Sequence, residues 1–354
     1  MHLMYTMVAQ IHNNIPSLQW NLTQPENRSE GALIIVLPDW VYGLIPYCGP
    51  GLRKDVWIRE NAFLNEVCRF FYDHGIATLH LIPKNPEYVP SDEEIITVTQ
   101  IPTVYSVIKN IAQENSYNLN KSVIMGHGLG TRMLCEIVSF GLRPAGFIIA
   151  NGIYSDIDSI ISQKYLPYKQ INSGLSDFRR QISLDPDTSL IIQNLGRIHR
   201  AIRKKTKRVR IREPDRFVDL LFPSSLFSQE TSPAVLLSVL DAPSLIIHGS
   251  GNLDLPVSNA FFLETKLKQK ISSVSRIIML DCDHWFREMP HEMDDRIYQR
   301  LSGTCVQNPI NQVFLQNCRT FIENLQKFKL QKNISPPISP NSGVFNQQVQ
   351  SLSG

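Results

Sequence analysis

The residues with the most chemical capacity fall in three short stretches, each following an apolar run. They are Gly126-His127-Gly128-Leu129-Gly130, His248-Gly249-Ser250-Gly251-Asn252-Leu253-Asp254, and Asp281-Cys282-Asp283-His284-Trp285. His284 could move a proton near neutral pH, and a carboxylate such as Asp254 or Asp283 could orient its ring. Cys282 could act as a nucleophile only with access and a lowered pKa, and a small semi-buried residue is the plainer reading. The N–H of Leu129 opens a helical pattern, where free donors and the helix dipole favour a carboxylate, a phosphate or a developing oxyanion. His127 reads as a packing residue. A dinucleotide-binding turn starting at Gly126 needs Gly or Ala at 131, where Thr131 stands, and an acid near Asn151. Neither requirement is met.

These stretches need a frame that brings their ends together. Apolar runs at 32–37, 77–82, 122–125, 146–150, 244–247 and 276–280 are near-continuous rather than alternating, as in strands covered on both faces. Helical spacing of apolar residues lies between them at 61–74, 103–116, 129–141 and 256–270. The alternation predicts an α/β fold, a doubly wound, mostly parallel sheet with right-handed crossovers. Residues 3–11 and 17–22 could add antiparallel edge strands. From about 152 to 241 no buried strand pattern appears. The expected organisation is a core of residues 1–151 and 242–330, an inserted, basic, mostly helical cap at 152–241, and a disordered Pro/Ser/Asn/Gln-rich tail at 331–354.

Taken in order, these stretches resemble the α/β-hydrolase superfamily over roughly residues 30–330. Ser122 to Leu134 runs as strand, glycine-rich turn and helix, like the G-x-S-x-G nucleophile elbow. Gly126 and Gly130 match the outer glycines; the central position is Gly128, which carries no nucleophile. Leu37-Pro38-Asp39-Trp40 stands where the superfamily has its first oxyanion-hole loop. Residues 248–257 resemble the acid loop, with Asn252 in the acid register and Asp254 two residues on. His284 matches the catalytic histidine. The resemblance implies an anion-binding or oxyanion role for Leu129, Asp39 and Trp40, and a His284–Asp254 pair. Ser-His-Asp chemistry needs a hydroxyl that the histidine can deprotonate, so loss of the serine implies loss of most of the rate.

Two readings of function follow. In one, the chain is a pseudo-hydrolase acting as a binding or assembly component. In the other, it is a hydrolase or lyase in which His284 serves as general base on a small ester, thioester or similar carbonyl substrate, with no covalent serine intermediate. On either reading, Gly128→Ser would test whether the remaining apparatus is intact.

The chain has 354 residues, 35 Lys and Arg against 32 Asp and Glu, and 43% apolar residues, enough for a sizeable core and too balanced for a general nucleic-acid binder. The balance hides an asymmetry. Residues 197–216 hold ten Lys and Arg and two acids, a net of +8, which leaves −5 for everything else out of a total of +3. Arg203, Lys204, Lys205, Lys207, Arg208, Arg210 and Arg212 form a candidate docking patch for a protein partner or an anionic membrane surface. Without interleaved aromatics, nucleic acid is not suggested. Six scattered cysteines, no apolar run of membrane-spanning length and no signal-peptide pattern fit a reducing cytoplasm. No metal-ligand spacing is present, and no cofactor is implied.

Overall fold

The computed structural model describes residues 5–9, 18–26, 33–39, 50–83, 101–154, 186–206, 208–212, 217–221, 233–302 and 304–334. The strands are β1 (Tyr5–Ala9), β2 (Leu18–Gln24), β3 (Leu33–Leu37), β4 (Ala77–Pro83), β5 (Val123–His127), β6 (Gly146–Ala150), β7 (Arg208–Arg212), β8 (Phe217–Leu221), β9 (Ser244–Gly249) and β10 (Val274–Met279). The helices are α1 (Pro50–Asp73), α2 (Ile101–Glu114), α3 (Gly130–Ser139), α4 (Pro186–Arg203), α5 (Pro233–Leu237), α6 (Ser258–Lys268), α7 (Met293–Ser302) and α8 (Gln312–Ile334).

Eight strands form one sheet in the order β1-β2-β4-β3-β5-β6-β9-β10. The β1–β2 and β2–β4 pairings are antiparallel, and all the others in this sheet are parallel. This is the doubly wound, mostly parallel arrangement that the strand–helix alternation predicts. The sequence runs at 32–37 and 146–150 are apolar throughout because each strand feeds two cores. Leu33, Ile35, Leu37, Phe147 and Ile149 point into one cluster, with residues of α2, α3 and α6. Ile34, Val36, Ile148 and Ala150 point into the other, with Phe63, Leu64, Val67 and Phe71 of α1 and Phe314, Leu315, Cys318 and Ile322 of α8. Side chains alternate across a strand, so a fully apolar run demands cover on both faces.

β3 and β5 are neighbours, with Leu37 opposite Gly126. The chain leaves β3 through α1 to β4 on one side, then returns through α2 to β5 on the other. Such a switch of direction opens a crevice beyond the carboxyl ends of the two strands. Asp39 and Gly128 stand just past those ends.

Two sequence expectations are revised. The interval 152–241 holds, besides α4 and α5, an antiparallel hairpin of β7 and β8. The alternation of Arg with Val209 and Ile211 signals its first strand, and Val218 and Leu220 complete its second. The tail does not begin at residue 331, because α8 continues to Ile334; residues 335–354 lie outside the described residues. Among the described residues, no helix is long and apolar enough to cross a membrane.

Candidate functional site

The turn between β5 and α3 is a tight corner with left-handed backbone at Gly128, φ +51°. That region strains a residue with a side chain and not glycine. Gly128 N donates to Ala150 O at 3.0 Å, and Thr131 N donates to Gly128 O at 3.2 Å, so the corner is pinned to β6 and to the first turn of α3. A second obstacle to any side chain is Asp39. A Cβ built on Gly128 would collide with the Asp39 carboxylate, 2.5 Å from its Cγ and 3.1 Å from its Cβ. The volume above the corner, where an elbow serine would project, is filled by an acid from the loop after β3.

That acid is held by two donors. Leu129 N–H donates to Asp39 Oδ1 at 2.6 Å. His284 Nε2 lies 3.1 Å from Asp39 Oδ2. The sequence reading makes Asp39 part of a cradle for an anion; in the structure its own carboxylate is the anion. Burial pushes the Asp39 carboxyl up, but the adjacent His284, His127 and the Leu129 N–H outweigh burial and hold it below its ordinary value.

His284 takes its second bond from Asn252, whose Nδ2 lies 3.1 Å from His284 Nδ1. The orientation of this amide is fixed by its other end. Asn252 Oδ1 accepts from Asp254 N at 2.9 Å and Leu255 N at 3.0 Å, so its amino group must face the ring. Nδ1 is therefore an acceptor, and the ring proton sits on Nε2, where it is donated to Asp39. This inverts the polarity of a hydrolytic triad, in which Nδ1 donates to the acid and Nε2 receives the proton of the nucleophile.

Beneath this pair lies a second, fully buried one. His127, at the end of β5, faces Glu60 of α1 with Nδ1 at 2.9 Å from Oε1, and the backbone oxygen of His284 with Nε2 at 2.7 Å. Both partners only accept, so both ring nitrogens carry protons and His127 is an imidazolium. Burial opposes that charge, but Glu60 and Asp39 prevail, and the pKa rises to about 9. Glu60 also accepts from Trp285 Nε1 at 2.8 Å and from Asp39 N at 3.0 Å. It thereby ties α1, β5, the histidine loop and the Asp39 backbone together. Asn151 braces the same loop: its Nδ2 donates to His284 O at 2.8 Å, and its Oδ1 accepts from Gly249 N at 2.9 Å.

The remaining candidates part company with the centre. The expected His284–Asp254 pair is not formed. Asp254 pairs with Arg300 at 3.1 Å, and the hydrogen bonds of His284 go to Asn252 and Asp39. The guanidinium of Arg300 lies over the Trp285 ring, 4.5 Å from its centroid, so Asp254 braces the histidine loop from a distance. Asp283 faces Trp285 N and Arg287 N with Oδ1, not the imidazole. Cys282 is buried, and burial first, then the neighbouring acids, push its thiol up to about 12, against a nucleophilic role. Ser250 Oγ accepts from Asp281 N. Trp40 and Lys207 lie outside the described residues. Arg203, Lys204, Lys205 and Arg210 are exposed; Arg208 and Arg212 are in β7. Among the described residues, no cluster of His, Cys, Asp or Glu could hold a metal.

Sequence reasoning missed Glu60, which has no motif. A signal was present nonetheless: Glu60 lies on the same helical stripe as Phe63, Leu64, Val67 and Phe71, at core spacing. An acid on an apolar face implies a buried partner.

The sequence matches no protein-family model and no curated protein. Among solved structures, the chain is similar to Est1E from Butyrivibrio proteoclasticus, with 12% identity, a TM-score of 0.49, and 93% of this chain and 99% of that one covered. It is also similar to a proline iminopeptidase from Mycobacterium smegmatis, with 11% identity, a TM-score of 0.48, and 92% and 99% covered. A third is a carboxylesterase structure from Nitrososphaera gargenis, with 10% identity, a TM-score of 0.46, and 91% and 100% covered.

Proposed function

We propose that this chain is a pseudo-hydrolase, an α/β-hydrolase-fold protein that performs no serine-type hydrolysis and acts as a binding or assembly component. One observation carries the reading: the Asp39 carboxylate fills the space above Gly128 and takes the Leu129 N–H. Three requirements of acyl transfer are lost together. There is no hydroxyl at 128. The oxyanion donor is already bound to a carboxylate, which would repel a developing oxyanion. The imidazole offers Nε2–H, a donor, where a general base must offer a lone pair. The last point also weighs against His284 as a general base on water or a carbon acid.

The reading is tested on the wild-type chain with a fluorophosphonate probe and with short p-nitrophenyl esters and thioesters. Neither covalent labelling nor turnover above the buffer rate is expected. Turnover that disappears in His284→Ala would overturn it.

A further inference from the structure

The eight-stranded sheet ends at β10, and among the described residues no strand pairs with its outer side. Ser244 N donates to Ser273 O and Ser250 N donates to Met279 O, so the odd-numbered residues here turn their N–H and C=O toward β9. Backbone polar groups alternate sides along a strand, so Val274, Arg276 and Ile278 turn theirs outward. Sheet edges are ordinarily protected by a proline, a bulge or outward charges. β10 has no such protection. It matches β9 residue for residue from Val274 to Met279. Its one charge is drawn back onto α6, where Arg276 pairs with Glu264 and its guanidinium lies 3.8 Å from the centroid of the Phe261 ring. Ile277 and Ile278 are half-buried, and Leu280, just past the strand, is 77% exposed.

We propose that β10 pairs antiparallel with β10 of a second copy of this chain, about a two-fold axis at Ile277. What selects a second copy is that the strand is complementary to itself in one register. Opposed residues in a continuous sheet share a face, so both are odd-numbered or both even-numbered, and the axis must pass through a residue. An axis at Arg276 would set two arginines directly opposite, which repels. An axis at Ile278 would pair Val274 with the partner's Cys282, beyond the end of the strand. The axis at Ile277 pairs Arg276 with the partner's Ile278, and Ile278 with the partner's Arg276. Both pairs carry the outward N–H and C=O groups, so each exchanges two hydrogen bonds, about four in all. The two Ile277 side chains meet at the axis, and Leu280 comes beside the partner's Val274. Arg276 keeps Glu264, so the pairing buries no unpaired charge. Such an isologous contact closes both edges at once. The inference does not depend on the state of the central site.

Sedimentation velocity of the full chain at micromolar concentration tests it, and a dimer is expected. Ile278→Pro removes an outward N–H without touching the ladder to β9, and should sediment as a monomer. Ile277→Cys gives a readout that does not depend on how that variant folds. At a non-hydrogen-bonded antiparallel pair the Cα atoms lie about 4.5 Å apart, within disulfide reach. Mild oxidation of Ile277→Cys should therefore yield a covalent dimer above the wild-type level. Ser275→Cys, exposed on the same strand and about 14 Å from its symmetry mate, should not. A monomeric wild-type chain, a dimer unaffected by Ile278→Pro, or capture at 275 and not at 277 would each overturn the proposal.

Discussion

The side-chain amide of Asn252 donates to Nδ1 of His284 across 3.1 Å, and that contact decides where the imidazole keeps its proton. In a hydrolytic triad, an aspartate in this register accepts from Nδ1–H and leaves Nε2 its lone pair for the nucleophile's proton. Asn252 cannot accept there, because its oxygen is committed to the N–H groups of Asp254 and Leu255. One atom of difference between Asn and Asp thus turns a base into a donor, and the donor has an acceptor waiting in Asp39.

The tautomer is directly measurable. In ¹⁵N-resolved NMR of the neutral imidazole, His284 is expected to carry its proton on Nε2. In Asn252→Asp, with Asp39 still facing Nε2, both ring nitrogens would face carboxylates and both should carry protons. A wild-type His284 protonated on Nδ1 would contradict the hydrogen-bond assignment.

Gly128 and Asp39 should be energetically coupled. Gly128→Ala introduces strain of about 1–3 kcal/mol at φ +51° and also displaces the Asp39 carboxylate. Asp39→Ala makes room for the new methyl group. The double variant should therefore be more stable than the sum of the two single losses predicts, with a coupling of about 0.5–3 kcal/mol in urea unfolding. By the same reasoning, Gly128→Ser alone should gain no esterase activity. The sequence offers this substitution as a test of whether the remaining apparatus is intact, and the expected result is that it is not.

The Glu60–His127 pair sets a pH window. The folded His127 pKa is raised to about 9 from 6.5. Its contribution is complete below about pH 6.5 and is lost as pH rises through 9. Asp39 is shifted the opposite way, so its contribution is present above its ordinary value and lost as pH falls. Unfolding midpoints should decline on both the alkaline and the acid side. His127→Gln, neutral throughout, should flatten the alkaline limb and lower the plateau by about 3–5 kcal/mol, since it leaves Glu60 buried without its cation. An unchanged alkaline limb in that variant would assign the transition to another group.

The sequence by itself determined the frame. Apolar runs such as Ile34-Ile35-Val36 and Phe147-Ile148-Ile149 require cover on both faces, and the intervening helical stripes supply it, so a parallel doubly wound sheet is nearly forced. It also determined that residue 128 carries no nucleophile. The hairpin was half legible, since Val209 and Ile211 alternate with arginine, but its partner strand was recognisable only once paired. What the tertiary structure alone decided is the meaning of the charges. Asp39 lies 245 residues from His284, and Glu60 lies 67 from His127. Nothing local distinguishes an acid that binds a cation from one that fills an anion site. That distinction depends on which donors surround the carboxylate after folding, and at the corner beside Gly128 those donors come from the turn between β5 and α3 and from the loop after β10.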